Sequence, residues 1–145
     1  MGNNTSKSYC FASYKDIQNM VHKSDFILIN TLPKDKQHTL IQSTCAIENE
    51  ERVINDALNG NNDIIIFIYG AHNCDHTVYK KYDQLQSLGF KNVYVYTGGL
   101  FEWCCLQDIY GEEFFKLKVN NAKIDLLELA PSECCSYTFS KRIQN

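Results

Sequence analysis

The chain has 145 residues and a formal net charge of −3, with 44% apolar and 21% charged residues. These values are ordinary for one globular domain that is long enough to bury a core. A slightly acidic chain without a run of basic residues is not expected to bind nucleic acid. The longest apolar run, from Ile64 to Tyr69, has the length of a strand and is too short to cross a membrane.

The N-terminus carries a short lipidation motif. The segment Met1–Lys7 has Gly2 after the initiator and Ser6 at the fifth position of the mature chain, which is the pattern for N-myristoylation. A chance Met-Gly start is the alternative. One myristoyl chain binds a membrane only weakly, so Cys10 is a candidate for a second, palmitoyl anchor. We therefore expect residues 1–12 to be a flexible acylated leader that holds a cytoplasmic protein at the membrane surface.

Predicted strands and helices alternate along the chain. Helical spacing of apolar residues, apolar runs and Gly or Pro breakers define them. The predicted elements are a helix at 13–21 that Ser13 caps, a strand at 25–32, a short strand at 38–41, a helix at 47–58, a strand at 63–69, a helix at 78–88, a strand at 92–96, a helix at 100–110 and a helix at 124–129.

This alternation predicts an α/β fold in which a parallel sheet has helices on both faces. The central strand is the one that contains Ile64–Ile68, because a strand covered on both faces can be apolar throughout. We expect one domain over residues 13–118, followed by a C-terminal helix and tail over residues 119–145.

The seven cysteines do not suggest a disulfide framework. Their number is odd and no secretory signal peptide precedes them, which favours a reducing compartment. No CxxC motif is present and the histidines are not spaced to complete a zinc site, so we expect no metal and no cofactor. Cys104 and Cys105 follow Trp103 on a predicted helix, where at least one is expected in the core. Cys134 and Cys135 are candidates for lipidation or redox chemistry, with idle thiols as the alternative.

The loop after the central strand is the candidate site. Ligands of open α/β sheets bind beyond the carboxyl ends of the strands, where backbone N–H groups at a helix N-terminus attract anions. Cys74 lies in this loop, where such a setting favours the thiolate form. Its neighbour Asp75 opposes the thiolate by like charge. The predicted anion-binding loop comprises Gly70, Ala71, His72, Asn73, Asp75 and His76 around Cys74.

Two segments of the chain resemble the second half of a rhodanese domain. They are Ile65–Gly70 and Leu88–Trp103, the latter with the pattern LGF, NVYVY, Gly-Gly, two residues, an acid and Trp. In this pattern the Gly98-Gly99 pair permits a sharp turn and Trp103 packs its helix against the sheet. The strand at 25–32 is similar to the first sheet strand of the family.

The similarity extends over Phe11–Lys118. Lys80–Tyr82 and Leu106–Gly111 are most similar to a divergent branch of rhodanese-like proteins from protists and large DNA viruses. The resemblance implies a central five-stranded parallel sheet. It also implies that a loop cysteine, here Cys74, carries sulfane sulfur as a persulfide from a small sulfur donor to a thiol or cyanide acceptor, with the loop amides holding the anion.

The sequence departs from that family pattern in the candidate loop. Active members have the cysteine directly after the strand, where this chain has Tyr69-Gly70, and they have a basic residue within the loop. A phosphatase related to the family needs arginine six positions after its cysteine. This chain has Lys80 there, which cannot bind a phosphoryl group in the bidentate manner of arginine. Two hypotheses remain: a sulfurtransferase that uses Cys74, and a catalytically silent rhodanese-like module tethered by acylated Gly2 that acts through protein contacts.

Overall fold

The computed structural model describes residues 8–21, 23, 25–120 and 124–132. Gly2, Cys134 and Cys135 lie outside these residues. The strands are β1 (Phe11–Ala12), β2 (Phe26–Asn30), β3 (Thr39–Ile41), β4 (Ile65–Tyr69), β5 (Val93–Tyr96) and β6 (Leu117–Val119). The helices are α1 (Tyr14–Val21), α2 (Glu50–Asn59), α3 (Thr77–Ser87), α4 (Gly99–Tyr110) and α5 (Leu126–Leu129), and a 3₁₀ turn covers Lys34–Lys36.

A four-stranded parallel sheet with the order β1-β5-β4-β2 organises the fold. The apolar strand β4 is central, and it pairs along its whole length with β2, from Phe26 opposite Ile65 to Asn30 opposite Tyr69. Because all four strands run in one direction, their carboxyl ends meet at one edge of the sheet. This edge is where the fold can bind a ligand.

Successive residues of a strand point to opposite faces of the sheet, so the strand residues are buried in two separate cores, one on each face. One face packs against α1 and α4, and the other packs against α2 and α3, which confirms the predicted α/β layers. The strand residues buried on the α1–α4 face include Leu28, Phe67, Tyr69 and Tyr96. Those buried on the α2–α3 face are Ile27, Ile29, Ile66, Ile68, Val93 and Val95.

The parallel sheet has four strands where the family resemblance implied five. β3 pairs antiparallel with β6 in a separate two-stranded sheet. Beside β2 there is only an isolated parallel bridge between Leu28 and Thr44, in which the Cys45 N–H donates to the Leu28 carbonyl at 2.8 Å. The Thr44 N–H donates to the Ile41 carbonyl at 3.1 Å, and Ser43 has a φ of +76°. This turn bends the chain and limits pairing beside β2 to one residue.

The domain begins earlier than expected. Phe11 and Ala12, which we expected in the flexible leader, form β1 and pair with Val95 and Tyr96 of β5. The role of Ser13 also differs. Its N–H and its hydroxyl both donate to Asp16 Oδ2, at 2.8 and 3.2 Å, so the Ser13 hydroxyl does not accept the capping hydrogen bond that we expected.

Trp103 packs α4 against the sheet as predicted. The ring is buried, and it contacts Tyr96 edge to face with ring centroids 6.2 Å apart. Its indole N–H donates to the Lys116 carbonyl at 3.0 Å, which ties the segment before β6 to the core. Cys104 is buried beside it, which confirms that one thiol of this pair belongs to the core.

Tyr69, at the end of β4, carries a fully buried hydroxyl. It accepts a hydrogen bond from the Ile41 N–H at 3.1 Å and shares another with the Thr44 hydroxyl at 2.8 Å. Burial raises the pKa of Tyr69 well above its ordinary value. The hydroxyl therefore joins the central strand to the turn that ends β3.

We predict that Tyr69→Phe destabilises the protein by about 1–3 kcal/mol, because it leaves the buried Ile41 N–H without its acceptor and removes one of the two hydrogen bonds of the Thr44 hydroxyl. Tyr96→Phe is the matched control, since the buried Tyr96 hydroxyl has no hydrogen-bond partner among the described residues. Its expected loss is under about 1 kcal/mol. Equilibrium unfolding in urea measures both, and equal losses would contradict the role given to Tyr69.

Candidate functional site

The seven predicted site residues, 70–76, form one loop at the carboxyl edge of the sheet. Tyr69 ends β4 and Thr77 begins α3, so the loop connects the most buried strand to a helix N-terminus, as expected. The loop after β2 lies beside it, because the Thr31 N–H donates to the Tyr69 carbonyl at 2.9 Å. The hydroxyls of Thr31 and Thr77 are 2.7 Å apart.

The Asp75 carboxylate is the centre of this loop. Its Oδ2 accepts from the Ala71 N–H at 2.9 Å. Its Oδ1 accepts from the N–H of Thr77 at 3.1 Å and from the hydroxyl of Thr77 at 2.6 Å. One side chain therefore closes the loop at its start and also caps the first turn of α3.

The ionised form of Asp75 is favoured by these contacts. Burial by itself raises the pKa of the carboxyl, but the hydrogen bonds from Thr77 and Ala71 outweigh it and hold the pKa below its ordinary value. The loop thus carries a fixed negative charge at neutral pH.

Two glycines bring the loop and α4 into close contact. A Cβ atom on Gly99, which has a φ of +69°, would lie 2.9 Å from the Gly70 carbonyl oxygen and from the His72 nitrogen. The first turn of α4 holds the loop in return, since the Leu100 N–H donates to the Gly70 carbonyl at 2.9 Å and the Phe101 N–H donates to the Ala71 carbonyl at 2.8 Å. The start of the loop is therefore fixed from two sides.

Several loop amides that we expected to bind an anion are already engaged. The Cys74 N–H donates to His72 Nδ1 at 3.1 Å, and the Asp75 N–H donates to the His72 carbonyl at 3.2 Å. The Ala71 N–H binds the Asp75 carboxylate. The expected cradle of amides from the whole loop is thus corrected. Among the described loop residues, the N–H groups of His72, Asn73 and His76 make no hydrogen bond to another described group.

Cys74 is half-buried and disulfide-bonded. The other cysteines in the described residues are free, and they are Cys10, Cys45, Cys104 and Cys105. A disulfide departs from what the odd number of cysteines suggested. Among the described cysteines, Cys74 is the one that forms a disulfide, and it lies in a loop at the sheet edge.

The remaining predicted residues lie at the rim of the loop. His76 is exposed and its ring lies near that of Tyr79, with centroids 6.2 Å apart. Asn73 is exposed. An open cleft of about 310 Å³ lies beside the loop between β2, α2 and α3, and Thr31, Thr77 and Lys80 are among its lining residues. The Lys81 ammonium, also in this cleft, is paired with Glu50 at 2.6 Å.

Neither a metal site nor a membrane span is found where the structure describes the chain. No three His, Cys, Asp or Glu residues among those described are placed to bind a metal ion together. None of the described helices is both long and apolar enough to cross a membrane.

The chain matches a known protein family. The family model for the rhodanese-like domain matches residues 13–105, well over half of the chain. The chain belongs to the rhodanese-like family. Comparison with curated protein sequences gives no match.

Solved rhodanese-like structures have the same fold. The crystal structure of the Alr3790 protein from Anabaena sp. is 19% identical with a TM-score of 0.56, and the match covers 77% of this chain and 94% of that one. The solution structure of the rhodanese-like domain of the same protein is 18% identical with a TM-score of 0.55, covering 81% and 89%. The single-domain sulfurtransferase RDL2 of Saccharomyces cerevisiae is 18% identical with a TM-score of 0.48, covering 73% and 97%.

The rhodanese-like domain here differs from active members at the residue directly after β4. The resemblance noted from the sequence implies a cysteine there, and this chain has Gly70, on which a Cβ atom would lie 2.5 Å from Asp75 Oδ2 and 3.1 Å from Asp75 Cβ. The Asp75 side chain therefore occupies the space that a side chain at position 70 would need. The loop holds its own carboxylate there.

Sequence reasoning missed this structural role of Asp75. It considered only the repulsion between Asp75 and a thiolate. An acid two residues before Thr77 at a predicted helix start is also an N-terminal capping signal, so the role could have been found. The contact between Gly70 and Gly99 had no comparable signal, since it joins the candidate loop to the start of α4, which is far away in sequence.

We predict that Asp75→Ala destabilises the rhodanese-like domain by about 1–3 kcal/mol at pH 7, through loss of the hydrogen bonds from Ala71 and Thr77. Asp75→Asn keeps an acceptor and removes the charge. Because the folded-state pKa of Asp75 is lowered, its charge stabilises the fold above the ordinary value of 3.8, and this contribution is lost as the pH falls through the lower folded-state value.

Urea unfolding of the wild type and Asp75→Asn at neutral and acidic pH measures this effect. The wild type should be the more stable at pH 7, and the difference should shrink on acidification below about pH 4. A difference that stays constant or grows towards low pH would show that the carboxylate charge does not stabilise the loop.

Proposed function

We propose that this rhodanese-like domain is a sulfurtransferase that carries sulfane sulfur on Cys74. The observation that supports it is the placement of Cys74 in the loop after β4, half-buried at the sheet edge, with its sulfur bonded to another sulfur. A thiol that forms a disulfide is one that a second sulfur atom can approach in line with the bond. The same access is needed by a sulfur donor.

The proposed reaction begins once the disulfide is reduced by a thiol. The Cys74 thiolate attacks the outer sulfur of a donor such as thiosulfate, a new S–S bond forms, and sulfite leaves with the electron pair of the broken bond. The persulfide on Cys74 then passes its outer sulfur to a thiol or cyanide acceptor. No cofactor takes part in these steps.

Two kinds of group near Cys74 favour this reaction, and one group opposes it. The described contacts leave the N–H groups of His72 and Asn73 without a hydrogen-bond acceptor. The exposed Lys80 lines the adjacent cleft and attracts a divalent anionic donor. Asp75 opposes negative charge on the loop, so we expect turnover to be slow.

Thiosulfate treatment of the reduced protein tests the proposal. We predict that one added sulfur atom appears on Cys74 by intact-mass and peptide analysis, together with one equivalent of sulfite. Cys74→Ser should abolish both products. Cys10→Ser, which removes an exposed free thiol, should leave both unchanged. Labelling that persists in Cys74→Ser would refute the assignment.

A second candidate function is a catalytically silent rhodanese-like module that acts through protein contacts. One observation favours it: the Asp75 carboxylate fills the space beside Gly70 and binds the Ala71 and Thr77 amides. An anion-binding loop that already contains an anion has less room for a substrate. Absence of sulfur transfer in the experiment above would favour this candidate.

Either function is compatible with a lipid anchor, and we propose that acylated Gly2 holds the domain at the cytoplasmic face of a membrane. The sequence Met1–Lys7 supports this proposal. Cys10 is exposed and free, as a palmitoylated residue would have to be before modification. It precedes β1 directly, so a lipid there would lie close to the folded domain.

We predict that Gly2→Ala moves the protein from the membrane fraction to the soluble fraction of a cell that has N-myristoyltransferase, because the acceptor amine is lost. Asn3→Ala is the matched control and should keep the membrane-bound fraction. Cys10→Ser should weaken binding only partly if palmitate is the second anchor. An unchanged distribution of Gly2→Ala would exclude this anchor.

A further inference from the structure

The backbone N–H of Cys74 is held by the ring of a histidine in the same loop. It donates to Nδ1 of His72 at 3.1 Å. The Nδ1 atom of an imidazole accepts a hydrogen bond only when the ring is neutral and its proton is on Nε2, because both nitrogens of an imidazolium are donors. The contact therefore requires a neutral His72, and a proton on Nδ1 breaks it.

The backbone of His72 is fixed, so a change of protonation acts on the ring. The two carbonyls that precede His72 accept hydrogen bonds from N–H groups in the first turn of α4. A Cβ atom on Gly99 would lie 2.9 Å from the His72 nitrogen, and the Asp75 N–H donates to the His72 carbonyl at 3.2 Å. With the chain held on both sides, an imidazolium at this position must turn away from the Cys74 N–H.

The loop and the helix turns that adjoin it carry both signs of charge. Their titratable groups are Cys74, Asp75 and His76 in the loop, Glu102 in the first turn of α4 and Lys80 in the first turn of α3. Thr31 and Leu32, which follow β2 beside the loop, are uncharged. Asp75 interacts electrostatically with His72, so an imidazolium offsets the negative charge that Asp75 gives to the loop.

We propose that His72 is a positioning residue whose protonation controls how tightly the loop binds an anionic sulfur donor. This inference rests on the proposed sulfurtransferase function. When Nδ1 takes up one proton from solvent, the ring releases the Cys74 N–H beside that of Asn73, which makes no hydrogen bond to another described group. Consecutive backbone N–H groups bind anions. The same proton offsets the charge of Asp75, so both effects favour donor binding.

The pH dependence of sulfite release separates donor binding from attack. The reduced protein is mixed with a series of thiosulfate concentrations from about pH 8 to about pH 5, the range in which imidazoles change charge. The half-saturating thiosulfate concentration should fall by about tenfold towards low pH, roughly the contribution of one hydrogen bond to a charged group. The saturating rate should also fall, because less of Cys74 is thiolate. A purely structural His72 would leave the half-saturating concentration independent of pH.

Two substitutions of His72 each fix the loop in one of its two states. His72→Asn supplies an amide oxygen at the branch position of Nδ1, so the Cys74 N–H keeps an acceptor and the half-saturating concentration should stay high at every pH. His72→Ala removes the acceptor, so this concentration should stay low at every pH. His38→Asn removes an exposed histidine on the segment before β3 and is the control that should keep the wild-type pH dependence.

Amide NMR of the reduced wild type tests the hydrogen bond without turnover. Sulfate, an unreactive dianion, serves as the probe. The signal of the Cys74 amide should titrate together with the His72 ring, and sulfate should shift the Cys74 amide more at low pH than at high pH. A Cys74 amide that does not follow the ring, or an equal response to sulfate at both pH values, would refute the role of His72.

The outcomes separate the two proposals. If no variant releases sulfite at any pH, the proposed sulfurtransferase function fails, and the sulfate titration by itself decides whether His72 controls anion binding. If sulfite forms but His72→Asn and His72→Ala have the same half-saturating concentration at every pH, the role of His72 is refuted while the sulfurtransferase function stands.

Discussion

The shape of the candidate site depends on the three hydrogen bonds that the Asp75 carboxylate accepts from Ala71 and Thr77. These bonds link Ala71, near the start of the loop, to Thr77, the first residue of α3. They therefore fix the distance between the two ends of the loop. Because both carboxylate oxygens are engaged, the side chain cannot turn away without leaving N–H groups unpaired. Cys74 is placed where it is because its neighbour is fixed.

The elements around the Asp75 hydrogen bonds are held in place by their own packing and pairing. β4 is paired on both sides, its residues alternate between two buried cores, and the first turn of α4 holds the carbonyls of Gly70 and Ala71. A loop supported in this way has little freedom to adapt to a substrate. Cys74, the residue proposed above as the sulfur carrier, lies in this supported loop.

Much of this fold could be predicted because its signals are local. The apolar run at Ile64–Ile68 and the Gly-Gly turn before Trp103 each indicate their element without knowledge of the partner. The reduced fifth strand could not be predicted, since it depends on a positive φ at Ser43, and serine is not one of the residue types enriched in that conformation. β1 is only two residues long, too short for any period to show. The disulfide of Cys74 has no signal in the residues around it.

The contact between Gly70 and Asp75 also constrains which neighbouring sequences can fold and function. A cysteine at position 70 meets the Asp75 side chain, while removal of Asp75 alone leaves the amides around Gly70 without an acceptor. Each single substitution is thus unfavourable by itself, and the effects of the two are coupled. A screen of single mutants of this chain would therefore score both substitutions as destabilising and would miss the effect of combining them.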